Sequence, residues 1–106
     1  MNTFQATKVD ILEDLDHGEG WLSFKWHDPV YGSEGLTITI DGHCSSEMPI
    51  RSGIGLPEFI ELRHEGIRFH FDSALARKLE LDADVSITFT VSEDEYFKLK
   101  RVFEYL

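Results

Sequence analysis

Apolar and polar residues alternate most regularly from Val85 to Val91, where Val85, Ile87, Phe89 and Val91 interleave with Ser86, Thr88 and Thr90. A period of two marks a strand with one buried face. The same period runs through Trp21–Asp28, with Leu22, Phe24 and Trp26 on one side and Trp21, Ser23, Lys25 and His27 on the other. Pro29 ends that strand, because proline brings no N–H to a ladder. Leu36, Ile38 and Ile40 alternate with Thr37 and Thr39, and Asp41-Gly42 then supplies a tight turn from which His43–Glu47 returns alongside. Within residues 1–11, Thr7, Val9 and Ile11 alternate with Lys8 and Asp10 and predict an opening strand. Met48–Pro57, with two prolines and two glycines, reads as irregular, and Tyr31–Gly35 as a loop.

Two apolar runs, Phe59–Leu62 and Ile67–Phe71, flank Arg63-His64-Glu65-Gly66. A four-residue loop with Gly66 in the left-handed region sets Leu62 opposite Ile67, Ile60 opposite Phe69 and Glu61 opposite Arg68. Slipping by one residue would face apolar against charged, so the pattern selects this register. The Glu61–Arg68 pair is then exposed and contributes at most about 1 kcal/mol. The link from Phe71 to Val85 allows either a parallel or an antiparallel return, and the sequence leaves both open.

Two segments carry helical spacing. Asp72 caps Ser73–Leu79, in which Leu75 and Leu79 lie one turn apart. Ser92 and Glu95 form a capping box for a helix over Glu93–Tyr105, with Tyr96, Leu99, Phe103 and Leu106 as its apolar stripe. Glu93 and Asp94 suit the positive end of that helix, and Lys98, Lys100 and Arg101 the other. The predicted fold is α+β, one domain over residues 1–106. Its sheet is single and mainly antiparallel, of five to six strands, with both helices (73–79 and 93–105) on one face. The opposite face, with Lys25, Thr37, Thr39, Glu61, Arg68 and His70, is polar and open to water.

Charge narrows the choice of partner. Twenty acidic against ten basic residues give a formal net charge of −10 and a pI near 4.7. That argues against a nucleic-acid or anionic-membrane surface, since either needs clustered Lys and Arg. It suits a basic protein partner, and equally a protein that is acidic only for solubility. Cys44 is the only cysteine, so no internal disulfide is expected. The first residues lack the charged and apolar regions of a signal peptide, and no apolar run reaches membrane-spanning length, which predicts a cytoplasmic setting.

The acidic residues concentrate in Asp10–Gly20, where Asp10, Glu13, Asp14, Asp16 and Glu19 occur with no Lys or Arg. The stretch is expected to be an exposed loop with one helical turn, broken by Gly18 and Gly20. Its Asp14–Glu19 portion fails as a calcium loop, because Gly18 and Glu19 stand where an oxygen ligand and the glycine belong. Trp21 follows directly and faces away from the core by strand alternation, so the expected contact set is these five carboxylates with Trp21 as anchor. Asp41, His43 and Cys44 lack a second ligand pair at a spacing typical of zinc. His43 and Cys44 point to opposite sides of an extended chain, which argues against mutual activation. No catalytic, cofactor or metal site is expected.

The C-terminal half resembles the immunity protein 10 family of bacterial polymorphic toxin systems. The residues that carry the likeness are Gly53-Ile54-Gly55 leading into the strand pair around Gly66, the Phe71-to-Leu81 segment, and the ending Ile87-Thr88-Phe89, Ser92-Glu93-Asp94-Glu95, Leu99 and Val102-Phe103. It covers about the last 55 residues and carries over no functional residues. It implies a non-enzymatic inhibitor that masks a cognate toxin domain. Two other classes fit the same pattern: a housekeeping or structural domain that self-associates as a homodimer through an open strand edge, and a small ligand-binding domain or enzyme using the polar sheet face.

Overall fold

The computed structural model describes residues 1–30, 32–47 and 51–106. Tyr31 of the expected loop and Met48–Ile50 of the irregular stretch lie outside them. The elements are β1 (Asn2–Asp14), a 3-10 turn (Leu15–His17), β2 (Glu19–Trp26), β3 (Glu34–Thr39), β4 (His43–Glu47), β5 (Arg51–Ile54), β6 (Phe59–Arg63), β7 (Gly66–His70), α1 (Ser73–Leu79), β8 (Asp84–Thr88) and α2 (Glu93–Phe103). The fold is α+β with one sheet and two helices. The described residues form eight strands in the order β5-β4-β3-β2-β1-β8-β7-β6, not five to six. The sheet is mixed, since β1 pairs parallel with β8 while every other pair is antiparallel.

Two strands depart from the expected elements. The first is β1, which runs on to Asp14 through the stretch expected to be a loop. Residues 2–5 pair with β8, and residues 8–14 pair with β2 beyond a shift between Ala6 and Lys8. Backbone partners on β2 hold residues 8–14 extended although the side chains are mostly charged or half-buried. The second is β5, hidden by its glycine. A Cβ on Gly53 would lie 2.5 Å from Leu75 Cδ1, so the residue that reads as a breaker is what lets α1 approach the strand.

The sheet curls strongly about its inner face. Phe24 on β2 lies with its ring 6.2 Å from that of Phe69 on β7. Three strand spacings, about 14 Å in a flat sheet, separate those strands. β5 and β6 occupy opposite edges, yet only residues 55–58 join them, a reach of at most about 18 Å. Inside the curl sit Leu22, Phe24, Leu36, Ile38, Ile67, Phe69, Val85 and Ile87, all buried as alternation predicts. Phe71 and Phe89 join them from the ends of β7 and β8. Trp26 is buried too and stacks on Phe4 at 4.0 Å between ring centroids.

The β6–β7 hairpin adopts the predicted register, Leu62↔Ile67, Ile60↔Phe69 and Glu61↔Arg68. Its loop is tighter than expected: Arg63 pairs with Gly66, leaving only His64 and Glu65 between strands. Gly66 is not among the residues with positive φ. Its missing side chain instead makes room for the chain of β8. Glu61 accepts from Arg63 Nε at 2.9 Å along its own strand, not from Arg68. β7 and β8 are antiparallel, which settles the direction left open.

Both helix caps form as read. Leu75 N–H donates to Asp72 at 2.8 Å, and the Ser92–Glu95 capping box is complete. α2 ends at Phe103, and Tyr96, Leu99 and Val102 form its buried face, with Phe103 and Leu106 half-buried. α1 packs on β4 and β5, α2 on β1 and β2, all against the inner face. The outer face of the sheet is left without a helix. Among the described residues no helix is long and apolar enough to cross a membrane.

Candidate functional site

Strand pairing decides which side chains share the open face. In β1 and β2, Leu12 is opposite Trp21, Asp10 opposite Ser23 and Asp14 opposite Glu19. In β2 and β3, Trp21 is opposite Thr39. Directly opposed residues project to the same side, so Leu12, Trp21 and Thr39 form a row across the outer face. Gly18, at φ 72, reverses the chain after the 3-10 turn and sends β2 back beside β1. Gly20 is buried, and a Cβ there would meet Ile40 and Leu15 at 3.3 Å. Ile40 N–H donates to Gly20 O at 2.9 Å, closing that end.

The result is a cavity of about 290 Å³ bordered by Leu12, Trp21 and Ile40 as apolar wall and by Glu19, Thr39 and Asp41 as polar rim. Trp21 is half-buried there, neither free nor enclosed. Asp41 is held in place from two sides: the Thr39 hydroxyl donates to it, and His43 Nδ1 lies 3.1 Å away. Those two hydrogen bonds, Thr39 first, hold its carboxyl below the usual aspartate range despite some desolvation. It is therefore ionised at neutral pH. Glu19 is exposed and makes no ion pair among the described residues.

The expected contact set is divided by this geometry. Asp10 and Asp14 lie on the open face with Trp21, Asp10 half-buried with Lys8 Nζ at 3.7 Å and Asp14 2.7 Å from His17 Nδ1. Asp16 is exposed in the 3-10 turn. Glu13 projects to the other side, where Arg101 of α2 clamps it with both Nε and a terminal nitrogen, the latter at 3.1 Å. That hydrogen bond lowers the Glu13 carboxyl and raises the Arg101 guanidinium. Glu13 thus fastens α2 to β1 and is not part of the open face. Thr39, Ile40 and Asp41 were not singled out from the sequence. The signal was there: Asp41-Gly42 ends the strand next to the one bearing Trp21, and alternation places Thr39 on the same face.

Two other polar clusters exist. Glu34, on the inner face beside Trp26, is nearly enclosed, and its carboxyl is raised chiefly by burial and next by the charge of Asp28. Arg51 opposes this from 3.6 Å and also contacts Glu80 beyond α1, in an ion pair without the alignment of a hydrogen bond. The cluster joins β3, β5 and the end of α1. His70, on the outer face, bonds Asp84 at 2.8 Å with Glu58 at 3.9 Å. Cys44 is buried, its thiol pushed up to about 11 by desolvation and donating to Gly55 O at 3.3 Å. It is a neutral core thiol at pH 7, and His43 is exposed on the opposite face. Among the described residues, no group of three or more His, Cys, Asp or Glu side chains is placed to hold a metal ion.

Comparison with family models, with curated proteins and with solved structures gives no match for this chain.

Proposed function

We propose that this chain is a non-enzymatic acidic binding module that masks the surface of a basic protein partner, as an immunity protein neutralises a cognate toxin domain. The observation that carries the reading is the Trp21 end of the open face. There an indole lies among Asp14, Glu19 and Asp41, on a sheet face that neither helix covers. Aromatic anchors set among like charges give an interface both contact area and electrostatic selectivity. The excess of ten acidic over basic charges adds long-range attraction for a basic surface. The likeness of the C-terminal half to an immunity-protein family points to the same class of partner.

The test is binding to a basic toxin domain encoded beside this gene, followed at several salt concentrations. The on-rate is expected to fall by at least about tenfold as salt rises from low to physiological strength, because screening removes the steering. Charge reversal by Asp16→Lys with Glu19→Lys should slow association while leaving the fold intact, since both side chains are exposed. An on-rate indifferent to salt and to those reversals would remove the electrostatic basis of the reading. Growth of the particle with concentration in the absence of a partner would instead favour self-association through the β6 edge, where Phe59 is 56% exposed.

A further inference from the structure

We propose that the cavity beside Trp21 receives an arginine side chain of the basic partner. This rests on the reading above and names the contact at its centre. The cavity combines an apolar wall, Leu12, Trp21 and Ile40, with the carboxylates of Glu19 and Asp41, and no Lys or Arg borders it among the described residues. A neutral or anionic group would meet two carboxylates there that no Lys or Arg on the border offsets. A cation gains from both of them and from the indole ring, whose quadrupole attracts positive charge.

Arginine fits this combination better than lysine. A planar guanidinium stacks on an indole while its in-plane N–H groups donate outward to carboxylates. An ammonium concentrates its charge at one point, so it satisfies one kind of neighbour at a time. Thr39 contributes no competing donor to the cavity, because its hydroxyl is already committed to Asp41. Asp41 in turn needs no rearrangement to receive a donor, being ionised and fixed by Thr39 and His43.

The other cavities do not offer this chemistry. The one of about 190 Å³ along β6–β8 is bordered by Arg63 and Arg68 as well as Glu61 and Glu65, so its charges balance internally. The one of about 610 Å³ by Phe4 and Trp26 has neither a carboxylate nor a Lys or Arg on its border. The one of about 260 Å³ at the 3-10 turn has Glu13, Asp14 and Asp16 on its border but also Arg101, and no aromatic wall. The one of about 230 Å³ between β1 and the start of α2 has Lys8 as well as Glu95. Among these cavities, only the one at Trp21 joins an indole to carboxylates with no Lys or Arg on its border.

The experiment titrates the full isotope-labelled chain at low salt with short Gly/Ser peptides bearing one central arginine, lysine or citrulline, read by amide and indole chemical shifts. Saturable shifts at the Trp21 indole N–H and at the Thr39–Asp41 amides are expected with arginine. Binding should be at least about threefold tighter than with lysine, and neutral citrulline should leave these signals in place. Trp21→Leu and, separately, the exposed Glu19→Gln should each weaken the arginine peptide. If lysine binds as tightly, the choice of arginine is wrong. If the arginine peptide binds elsewhere and ignores both variants, the cavity assignment falls while an acidic surface for basic partners survives. Silence toward every cationic peptide, a highly basic one included, would remove the broader reading as well.

Discussion

At position 66 an added Cβ would lie 2.7 Å from the backbone oxygen of Ile87, and at position 53 it would lie 2.5 Å from Leu75 Cδ1. The shorter distance is the less harmful one. Leu75 Cδ1 is the far end of a side chain that can turn about its own torsions, whereas the Ile87 oxygen belongs to a strand paired on both sides, with Ile67 and with Phe4. Moving it disturbs two ladders. Gly66→Ala is therefore expected to cost about 1–3 kcal/mol, and more than Gly53→Ala, in urea denaturation followed by circular dichroism. The reverse order would mean that the β7–β8 pair yields more readily than the packing of α1. Sequence reasoning gave Gly66 a left-handed turn conformation, as a glycine beside a turn suggests, and nothing local reveals that the Ile87 backbone of β8 packs against it. The expected contact set shows the same limit. Asp14, Asp16, Glu19 and Trp21 were legible as an acidic run next to an indole, while the inward turn of Glu13 toward Arg101 depends on where α2 docks.

Among the elements, those with their own grammar were read correctly, and those that depend on a neighbour were not. The β6–β7 register followed from alternation on both strands at once. The two helices followed from caps that are local in sequence, Asp72 for α1 and Ser92 with Glu95 for α2. β5 has no such signature, since it centres on a glycine, and the opening strand expected within residues 1–11 runs on to Asp14 only because β2 pairs with it there. α2 allows a direct measurement of what a local signal contributes. Glu95 N–H donates to Ser92 Oγ at 3.2 Å and Ser92 N–H donates to Glu95 Oε1 at 3.1 Å. Ser92→Ala removes the first bond, with an expected loss of about 0.5–2 kcal/mol in the same urea assay. Because Leu99 and Val102 are fully buried under this helix, the loss should register as lower global stability, with the unfolding transition still a single step. A separate early transition would show α2 to be only loosely joined to the sheet.

For the whole molecule, several proton-linked effects point in one direction. The chain carries 20 acidic and 10 basic side chains, so lowering the pH from the alkaline side relieves self-repulsion. His70 is raised above its ordinary value, first by its hydrogen bond to Asp84 and also by the charges of Asp84 and Glu58, against some desolvation. The folded state thus holds a proton there that the unfolded chain releases sooner. Its contribution is complete below the ordinary histidine value, about 6.5, and is lost as pH climbs through the raised one. Glu34, raised by burial and by Asp28, acts in the same sense at lower pH. Asp84 is lowered, chiefly by the same hydrogen bond to His70, so its contribution exists above the ordinary carboxylate range and vanishes only as pH falls through the lowered value. Glu13 and Asp41, lowered by their own partners, likewise stay ionised until strongly acidic pH and add no slope in between. The melting temperature should accordingly be higher at about pH 5.5 than at about pH 8. The gap should narrow in high salt, which screens exposed charges, and narrow further in His70→Gln, which cannot take up the proton. A melting temperature that stayed level or rose between those two values would show that the negative charges are already offset in the fold, and with that the acidic surface would lose its claim on a basic partner.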